Sequence, residues 1–405
     1  MSGTRKGGLS APHEVCDLST RRDLGQNEVG PVVQGWCPGA LRPMMSGDGL
    51  VVRVRPRSGR LSATQARGVA ALSRAHGNGL IDLSARANVQ LRGVTEAGHL
   101  PLVEGLRDLG LIDASIAQET RRNIVVQPFH RPEDPTLAIS AELARLLALP
   151  DAPDLPGKFG FAVDTGSARV LEGTACDIRI EREDQGIVLR PDGSRLAKRV
   201  TEATAATEAL SLARWFVATG GIREGRGRMA AHIARQGVPQ GFTHLTTAQE
   251  FLPRPGLCDA GAMVGFTFGQ MTAETLEAVA GLGDLRITPW RMAVIEGATL
   301  LPDLPGLITD PDDPLLHVVA CTGAPGCVQA LGPTRDLALA LAPHVRGLLH
   351  VSGCTKGCAH PGAADLTLTA TPQGFALIRG ATAHDTPIAH HSAAALIARP
   401  DLLTE

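Results

Sequence analysis

The alternation of apolar and polar positions predicts a strand, a helix and a second strand near the start of the chain. These elements cover residues 49–54, 62–76 and 80–84. The same order recurs at residues 261–266, 272–280 and 285–288. In the first copy, Ser62 and Gln65 have the spacing of a capping box, and Gly77 supplies a C-terminal stop. The pattern therefore indicates an internal repeat of a small βαβ unit.

The repeat continues downstream of each βαβ unit. Apolar strands are predicted at residues 123–127 and 317–321, and helices follow at 137–149 and 334–342. We therefore divide the chain into two halves of roughly 200 residues, each with a βαβ unit and an α/β unit. The polar and charged residues 181–206 are interpreted as the connection between the halves.

Charge and composition exclude several function classes. The 405 residues include 39 Lys and Arg against 41 Asp and Glu, so the net charge of −2 gives no global attraction for nucleic acid or an anionic membrane. Aromatic residues make up 3% of the chain and Tyr is missing, so stacking platforms for single-stranded nucleic acid are scarce. We find neither a secretory signal nor an apolar run of membrane-spanning length, and we expect a cytoplasmic location.

The cysteines provide the first chemical signal. Of eight, the last four are Cys321, Cys327, Cys354 and Cys358, and each pair follows a predicted strand. Four thiolates that converge from two loops suit zinc or an iron-sulfur cluster. The five-residue gap after Cys321 is too open for a zinc knuckle and favours a 4Fe-4S cluster, whereas four unconnected buried cysteines are the structural alternative. The other cysteines lack partner spacing and are interpreted as core or loop residues: Cys16, Cys37, Cys176 and Cys258.

This cysteine spacing and the internal repeat together resemble the sulfite and nitrite reductases. The resemblance extends from about residue 35 to about residue 371. Residues 82–90 resemble the arginine-rich haem-binding strand of that family, 121–124 its second arginine motif and 155–160 its two-lysine loop. The resemblance implies that the last cysteine, Cys358, connects the 4Fe-4S cluster to the iron of sirohaem.

The resemblance also implies an α+β fold with pseudo-two-fold symmetry, in which two ferredoxin-like half-domains and two α/β modules surround the site. We expect the following boundaries: an N-terminal extension (1–34), half-domain 1 (35–112), a module without the cluster (113–206), half-domain 2 (207–302) and a module with the cluster (303–405).

Two departures from the reductase pattern argue against a small oxyanion as substrate. Asp82 stands where the reductases have a substrate-binding arginine, and Gly160 stands where they have the second lysine. A dianion such as sulfite needs several cations around it, because each unit charge contributes only about 1 to 4 kcal/mol at 4 Å. The change from Arg to Asp alone alters the local charge by two units. The site is therefore expected to bind a larger molecule.

A tetrapyrrole with many carboxylate arms fits the remaining cations, since arginine binds carboxylates through two hydrogen bonds. Residues 35–50, 155–162 and 354–361 resemble the precorrin-3B synthases, an oxygen-using branch of the same superfamily. The resemblance implies that a precorrin macrocycle is hydroxylated by O2 at a meso carbon, with lactone formation, in aerobic cobalamin biosynthesis. The candidate substrate contacts are Arg86, Arg122, Asn123 and Lys158, and the candidate metal ligands are Cys321, Cys327, Cys354 and Cys358.

Several roles stay open at this point. Asp82 either orients a substrate group or an iron-bound water, or neutralises Arg86. A mononuclear non-haem iron would give oxygen a binding site, and His360, Asp365, His390 and His391 are weak candidates to hold it. The chain has no dinucleotide-binding glycine motif, so we expect a separate electron-donating reductase. The alternatives are a sirohaem-dependent sulfite or nitrite reductase and a non-catalytic iron-sulfur electron carrier.

Overall fold

The computed structural model describes residues 37–184 and 186–404. The expected extension 1–34 and the interpretation of Cys16 lie outside the described residues. None of the helices formed by the described residues is both long and apolar enough to cross a lipid bilayer.

The first half begins with a helix-covered sheet and continues into a mixed sheet. Its elements, in chain order, are β1 (Met44–Ser46), β2 (Gly49–Val54), β3 (Arg60–Leu61), α1 (Ala63–His76), β4 (Leu80–Leu83), β5 (Val89–Val94), α2 (Glu96–Asp108), α3 (Ile116–Arg121), β6 (Ile124–Val126), α4 (Thr136–Leu147), β7 (Phe161–Asp164), β8 (Ile178–Glu183), β9 (Gly186–Pro191), β10 (Leu196–Val200), α5 (Glu202–Ala218), α6 (Met229–Gln236) and β11 (His244–Leu245).

The second half repeats this order in outline. They are β12 (Gly256–Cys258), β13 (Gly261–Phe266), β14 (Gln270–Thr272), α7 (Ala273–Ala280), β15 (Leu285–Ile287), β16 (Met292–Glu296), β17 (Leu307–Ile308), β18 (Val318–Ala320), α8 (Arg335–Leu341), β19 (Leu349–Ser352), β20 (Ala364–Thr371), β21 (Gly374–Ala381), β22 (Ala389–His391) and α9 (Ala393–Ala398). The α+β fold with its internal repeat is as expected from the sequence.

The first predicted helix illustrates how local sequence sets an element boundary. Ser62 Oγ accepts a hydrogen bond from the Gln65 backbone N–H at 3.1 Å, and Gln65 Oε1 accepts one from the Ser62 N–H at 3.0 Å. This reciprocal capping box satisfies two N–H groups that the first turn of a helix leaves unpaired. The helix ends at His76, where Gly77 caps it. Both predicted ends of α1 are therefore confirmed.

The two half-domains exchange a strand. In the first sheet the order is β1-β2-β5-β4-β14, so its last strand comes from the second half of the chain. In the second sheet the order is β12-β13-β16-β15-β3, so its last strand comes from the first half. Helices α1 and α7 pack against each other, and one apolar core contains residues of both halves, among them Leu91, Val264 and Ile295. The half-domains therefore share one hydrophobic core.

Each α/β module begins with parallel strands and continues with antiparallel ones. Strands β6, β7 and β8 are parallel neighbours, and β9, β10 and β11 extend that sheet. In the second module β18, β19 and β20 are parallel, and β21 and β22 follow. Parallel strands bring their carboxyl ends to one edge of a sheet. The cysteine loops follow β18 and β19 and therefore lie at the same edge.

The interpretation of residues 181–206 as a connection is wrong. They form the end of β8, then β9, β10 and the start of α5. Several of their charges are buried in ion pairs, such as the one between Arg190 and Glu181 with an N···O distance of 2.6 Å. Helix α5 crosses the expected boundary at residue 206, and its Phe216 contacts Phe159 of the same module with ring centroids 4.8 Å apart. The first module thus continues to β11.

Candidate functional site

The face of the first sheet that points away from its helices carries a row of polar side chains. Strand register places Arg53, Gln90, Asp82 and Gln270 side by side across four strands. Neighbouring residues such as Val52 and the others of the apolar core point to the opposite face, because side chains alternate along a strand. We call these four residues the polar row. It forms a floor that runs across the first half-domain.

Hydrogen bonds connect the members of the polar row in pairs. Arg53 donates from Nε and Nη2 to Gln90 Oε1 at 3.0 and 2.6 Å. Gln270 donates from Nε2 to Asp82 Oδ1 at 2.8 Å. The second pair joins the two halves of the chain, because Gln270 lies on the exchanged strand β14. The row is therefore rigid, and its two ends have different surroundings.

Asp82, at one end, is a buried carboxylate with cationic partners. Its carboxylate oxygens lie 3.6 Å from Arg92 Nη1 and 3.6 Å from Arg335 Nη2. No ion pair joins Asp82 to Arg86 within residues 37–184 and 186–404. The interpretation that Asp82 neutralises Arg86 is therefore not supported, since its partners are two other arginines that approach from β5 and from the start of α8.

Arg53, at the other end, belongs to a crowded group of cations. The pKa of Arg53 is lowered to about 10, mainly by burial and also by the charges of Arg55 and Arg86, while the Cys37 thiol opposes the shift. Burial and the nearby Arg228 also lower the pKa of Arg86. Among the described residues, the Arg86 guanidinium has no hydrogen-bond or ion-pair partner. An anion that binds here would relieve the repulsion between these guanidinium groups.

A small cavity of about 190 Å³ opens beside this cation group. Cys37, Arg55 and Gly157 are among the residues that line it. Arg55 is buried, and its Nε and Nη1 atoms have no hydrogen-bond partner, although Glu119 Oε1 lies 3.4 Å from Nη1. A buried donor without an acceptor costs free energy, so the cavity favours a ligand with acceptor oxygens.

The predicted substrate contacts occupy unlike surroundings. Lys158 is exposed in the loop that begins at Gly157, beside the small cavity. Arg122 donates two hydrogen bonds to Asp113, at 2.8 and 2.9 Å, and a third to the Arg55 carbonyl oxygen at 2.9 Å. Asn123 donates to the Phe159 carbonyl oxygen at 3.0 Å. Arg122 and Asn123 thus have intrachain partners, and a substrate contact for either of them stays a prediction.

Gly160 is part of a tightly packed loop. A Cβ atom at Gly160 would lie 2.9 Å from Asn123 Nδ2. The Gly160 N–H donates a hydrogen bond to Asp177 Oδ2 at 3.0 Å. Any larger residue at this position has to displace the Asn123 amide. The packing of this loop therefore favours glycine at position 160, where the reductases have their second lysine.

The four C-terminal cysteines are free thiols in the loops after β18 and β19. Burial raises the pKa of Cys354 and of Cys358, and in both cases the other cysteines of the set raise it further while Lys356 lowers it. The thiol groups are therefore within electrostatic range of one another. The Gly353 N–H donates to Cys321 Sγ at 3.1 Å. Thiolates supported by backbone N–H groups and a lysine are a donor set that fits a 4Fe-4S cluster.

The residues considered for a mononuclear iron lie apart from one another. Among the described residues, no group of three or more His, Cys, Asp or Glu is arranged to hold a metal ion, and this includes the four C-terminal cysteines. His360 Nε2 contacts the Ala363 carbonyl oxygen at 3.1 Å, and Asp365 accepts a hydrogen bond from the Leu348 N–H at 2.7 Å. His390 and His391 lie on β22. The structure therefore does not bring together the four residues considered for a mononuclear iron.

The first cysteine loop is docked on the first half-domain. The Gly326 carbonyl oxygen accepts hydrogen bonds from Ser46 Oγ at 2.7 Å, the Gly47 N–H at 3.2 Å and Arg92 Nη2 at 3.0 Å. A Cβ atom at Gly47 would lie 2.2 Å from the Pro325 carbonyl oxygen, so the approach requires glycine. Arg92 also contacts Asp82, and it therefore connects the cysteine loop to the polar row.

Sequence reasoning missed several residues of this site, above all Arg53, Arg55, Arg92, Arg291 and Arg335. Arg291 donates from Nη2 to the Ala359 carbonyl oxygen at 2.7 Å, directly after the second cysteine pair. Strand alternation could have placed Arg53 on the polar face, because it lies between the apolar core positions Val52 and Val54 in a strand that was predicted. Arg291 and Arg335 carried no such signal.

Comparison with known proteins shows what the fold resembles. Residues 42–109 match the family model "Nitrite/Sulfite reductase ferredoxin-like half domain". The structure of the Mycobacterium tuberculosis NirA protein superposes with a TM-score of 0.62 at 20% identity, and the match covers 87% of this chain and 79% of that one. The chain thus has the fold of the sulfite and nitrite reductase superfamily, as the sequence predicted.

A second comparison finds sequence similarity over most of the chain. A curated protein of a Sinorhizobium species named "Precorrin-3B synthase" is 27% identical over 413 aligned positions, which cover 93% of this chain and 88% of that protein. The similarity to precorrin-3B synthase seen in the motifs is therefore confirmed along nearly the whole chain.

Proposed function

We propose that the protein is an iron-sulfur monooxygenase of the precorrin-3B synthase type, which hydroxylates precorrin-3A at a meso carbon and forms a lactone from a ring acetate. The extended similarity to a precorrin-3B synthase supports this proposal. The macrocycle would lie on the polar row, between the cysteine loops and the cation group around Arg53 and Arg86. A cytoplasmic location stays a prediction.

The observation that carries the proposal is the pairing of Asp82. A sulfite or nitrite reductase needs cations that point freely at a small anion. Here the polar row ends in a carboxylate that Gln270, Arg92 and Arg335 already surround. At the other end of the row, Arg55 Nε and Nη1 have no hydrogen-bond partner, and the same holds for Arg335 Nε beside Asp82. Cationic groups spread along one side suit a wide molecule with several carboxylate arms.

The residues divide the work as follows. Arg86, Arg55 and Lys158 bind carboxylate arms, and the cavity of about 190 Å³ beside Arg55 is large enough for one such arm. Gln90 and Gln270 hold Arg53 and Asp82 in place. Cys321, Cys327, Cys354 and Cys358 would hold the 4Fe-4S cluster, which stores and passes on electrons when it is bound. Since the described residues form no compact mononuclear iron site, we assign no residue to that metal.

The overall reaction needs an external reductant. One atom of O2 enters the macrocycle and the other leaves as water, which consumes two electrons and two protons. The substrate does not supply these electrons, so a separate reductase delivers them. Precorrin substrate, O2 and this reductase are the partners that the proposal requires.

The test is turnover of precorrin-3A by cluster-loaded protein with O2 and a chemical reductant, followed by mass spectrometry. We expect a product that has gained one oxygen atom. Arg86→Gln is expected to raise the substrate Kd about tenfold, the effect of losing one charge-assisted hydrogen bond. Iron and sulfide content should not change. Arg235→Gln, which removes an exposed arginine of α6, is the matched control and should leave Kd unchanged.

Bound sirohaem together with sulfite or nitrite reduction, and no product from precorrin-3A, would replace this proposal with the reductase alternative. A cluster-containing protein with no turnover of either substrate class would indicate the electron carrier.

A further inference from the structure

A second, larger cavity lies in the first half of the molecule, away from the polar row. Its volume is about 590 Å³, within the range of small-molecule binding sites. Residues around the end of α2, the face of α4 and the segment between β2 and β3 line it, and neither the polar row nor the cysteine loops contribute. The cavity is therefore separate from the polar row, and of the predicted substrate contacts only Arg122 lines it.

The internal repeat explains why the cavity exists. Ser58 has φ and ψ angles of 50° and 29°, and Phe268 at the corresponding place in the second half has 55° and 18°. Phe268 is buried in the core of the second module together with Leu337 and Leu341 of α8. Ser58 is too small to fill the equivalent volume, and its Oγ atom lies 3.3 Å from that of Ser140 on α4. A position filled in one half is thus left open in the other.

The walls of the cavity combine apolar surface with positive charge. Ile112, Ile124 and Ala144 contribute apolar atoms. Arg57 and Arg107 also line the cavity, and the side chain of neither has a hydrogen-bond or ion-pair partner among residues 37–184 and 186–404. Arg122 is held in the wall by its two hydrogen bonds to Asp113, the acidic residue of the lining. The cavity therefore has apolar walls and two cations without counter-charges.

We infer that this cavity binds an amphipathic organic anion: an apolar body of one or two fused rings that carries a carboxylate, phosphate or sulfonate group. Apolar walls stabilise the body, and Arg57 and Arg107 bind the charged group. A tetrapyrrole exceeds the cavity volume, so the occupant is a smaller molecule than the proposed substrate. The inference does not depend on the proposed reaction.

The test uses 8-anilinonaphthalene-1-sulfonate, whose fluorescence increases in apolar surroundings, as the anionic probe. N-phenyl-1-naphthylamine, which has the same rings without the sulfonate, is the uncharged probe. We expect saturable binding of the anionic probe to the cluster-loaded protein, and binding of the uncharged probe about tenfold weaker or less. Equal affinity for both probes would overturn the inference, because it would show an apolar patch without anion recognition.

Variants then locate the binding. Arg57→Gln combined with Arg107→Gln should weaken the anionic probe at least about tenfold, whereas Arg346→Gln, which removes an exposed arginine of the second module, should leave its affinity unchanged. Ser58→Phe should abolish binding, and the backbone accepts this residue because Phe268 has the same conformation. Ala144→Leu fills the cavity from the α4 side as an independent variant. Unchanged probe affinity in the cavity-filling variants would overturn the inference.

Discussion

The two α/β modules have the same strand order but differ at the edge where the cysteine loops lie. Strand register makes Gln127 of the first module equivalent to Cys321 of the second, since each directly follows the first parallel strand. Gln127 is buried, accepts a hydrogen bond from the Phe129 N–H at 2.7 Å and donates one to the Ala168 carbonyl oxygen at 3.2 Å. In the first module this position holds a side-chain amide with hydrogen-bond partners in the same module, whereas in the second module it holds a free thiol.

The difference continues along the next strands. Glu181 and Arg190 form a buried ion pair in the first module, and Arg190 also contacts Glu172 at 3.1 Å. The positions that correspond by register in the second module are Thr369 and Ile378. The first module therefore has a buried polar network on strands whose counterparts in the second module carry Thr369 and Ile378.

The two half-domain sheets also differ in the side chains at corresponding positions. The polar face of the first sheet has Gln90 where the second has Val294, and Arg86 corresponds to Trp290. Trp290 stacks on Phe129, with ring centroids 6.0 Å apart, and contacts Phe251 at 5.0 Å. An aromatic group thus takes the place of Arg86 in the second half, whereas Arg286 and Arg60, both paired with Glu296, take the places of Asp82 and Gln270. The two half-domains therefore share the same strand arrangement, but the corresponding faces of their sheets carry different side chains.

The largest effect is expected from breaking the thiol set. Cys354→Ser removes one of the four proposed cluster ligands, so bound iron and acid-labile sulfide should fall at least about tenfold and the visible absorption should disappear. Cys258→Ser, at the end of β12, is the matched control and should keep both. Full iron content in Cys354→Ser would show that this thiol is not a ligand.

The next effect concerns the network of the first module. Arg190→Met leaves Glu181 buried without its main partner, so the free energy of unfolding should decrease by about 3 to 5 kcal/mol in urea titrations. Arg195→Met breaks a contact of a more exposed arginine with Glu172 and should cost about 1 kcal/mol or less. Iron content should not change in either variant. Equal costs would contradict the central role of the buried pair.

The smallest expected effect is the difference in stability between substitutions at corresponding positions of the two half-domain sheets. Trp290 is half-buried, so Trp290→Ala should lower the free energy of unfolding by about 2 kcal/mol, less than for a fully buried tryptophan. Arg86→Ala at the corresponding position should stay within about 0.5 kcal/mol. Chemical denaturation of both variants measures the difference. A larger cost for Arg86→Ala would mean that the polar face contributes to stability rather than to binding.

Much of the fold could be predicted because it rests on local signals. The capping box of α1 and the alternating strands at 49–54 and 261–266 appear where expected. Residues 181–206 were misread because charged residues are usually exposed, and nothing in a single strand shows that Glu181 pairs with Arg190.

The candidate site was less predictable, since it joins distant segments. The cysteine spacing is local and could be recognised. Asp82, however, meets Gln270 and Arg335, which are far away in sequence. These contacts depend on the exchange of strands between the half-domains, and periodicity carries no information about such an exchange.

That exchange also restricts how the chain could have arisen. Strand β3 completes the second sheet and β14 completes the first. An ancestor with a single copy of the repeat would have left this strand without a pairing partner, unless two identical copies associated as a symmetric homodimer. Gene duplication and fusion would then have converted a contact between molecules into a contact within one chain, after which each copy was free to diverge.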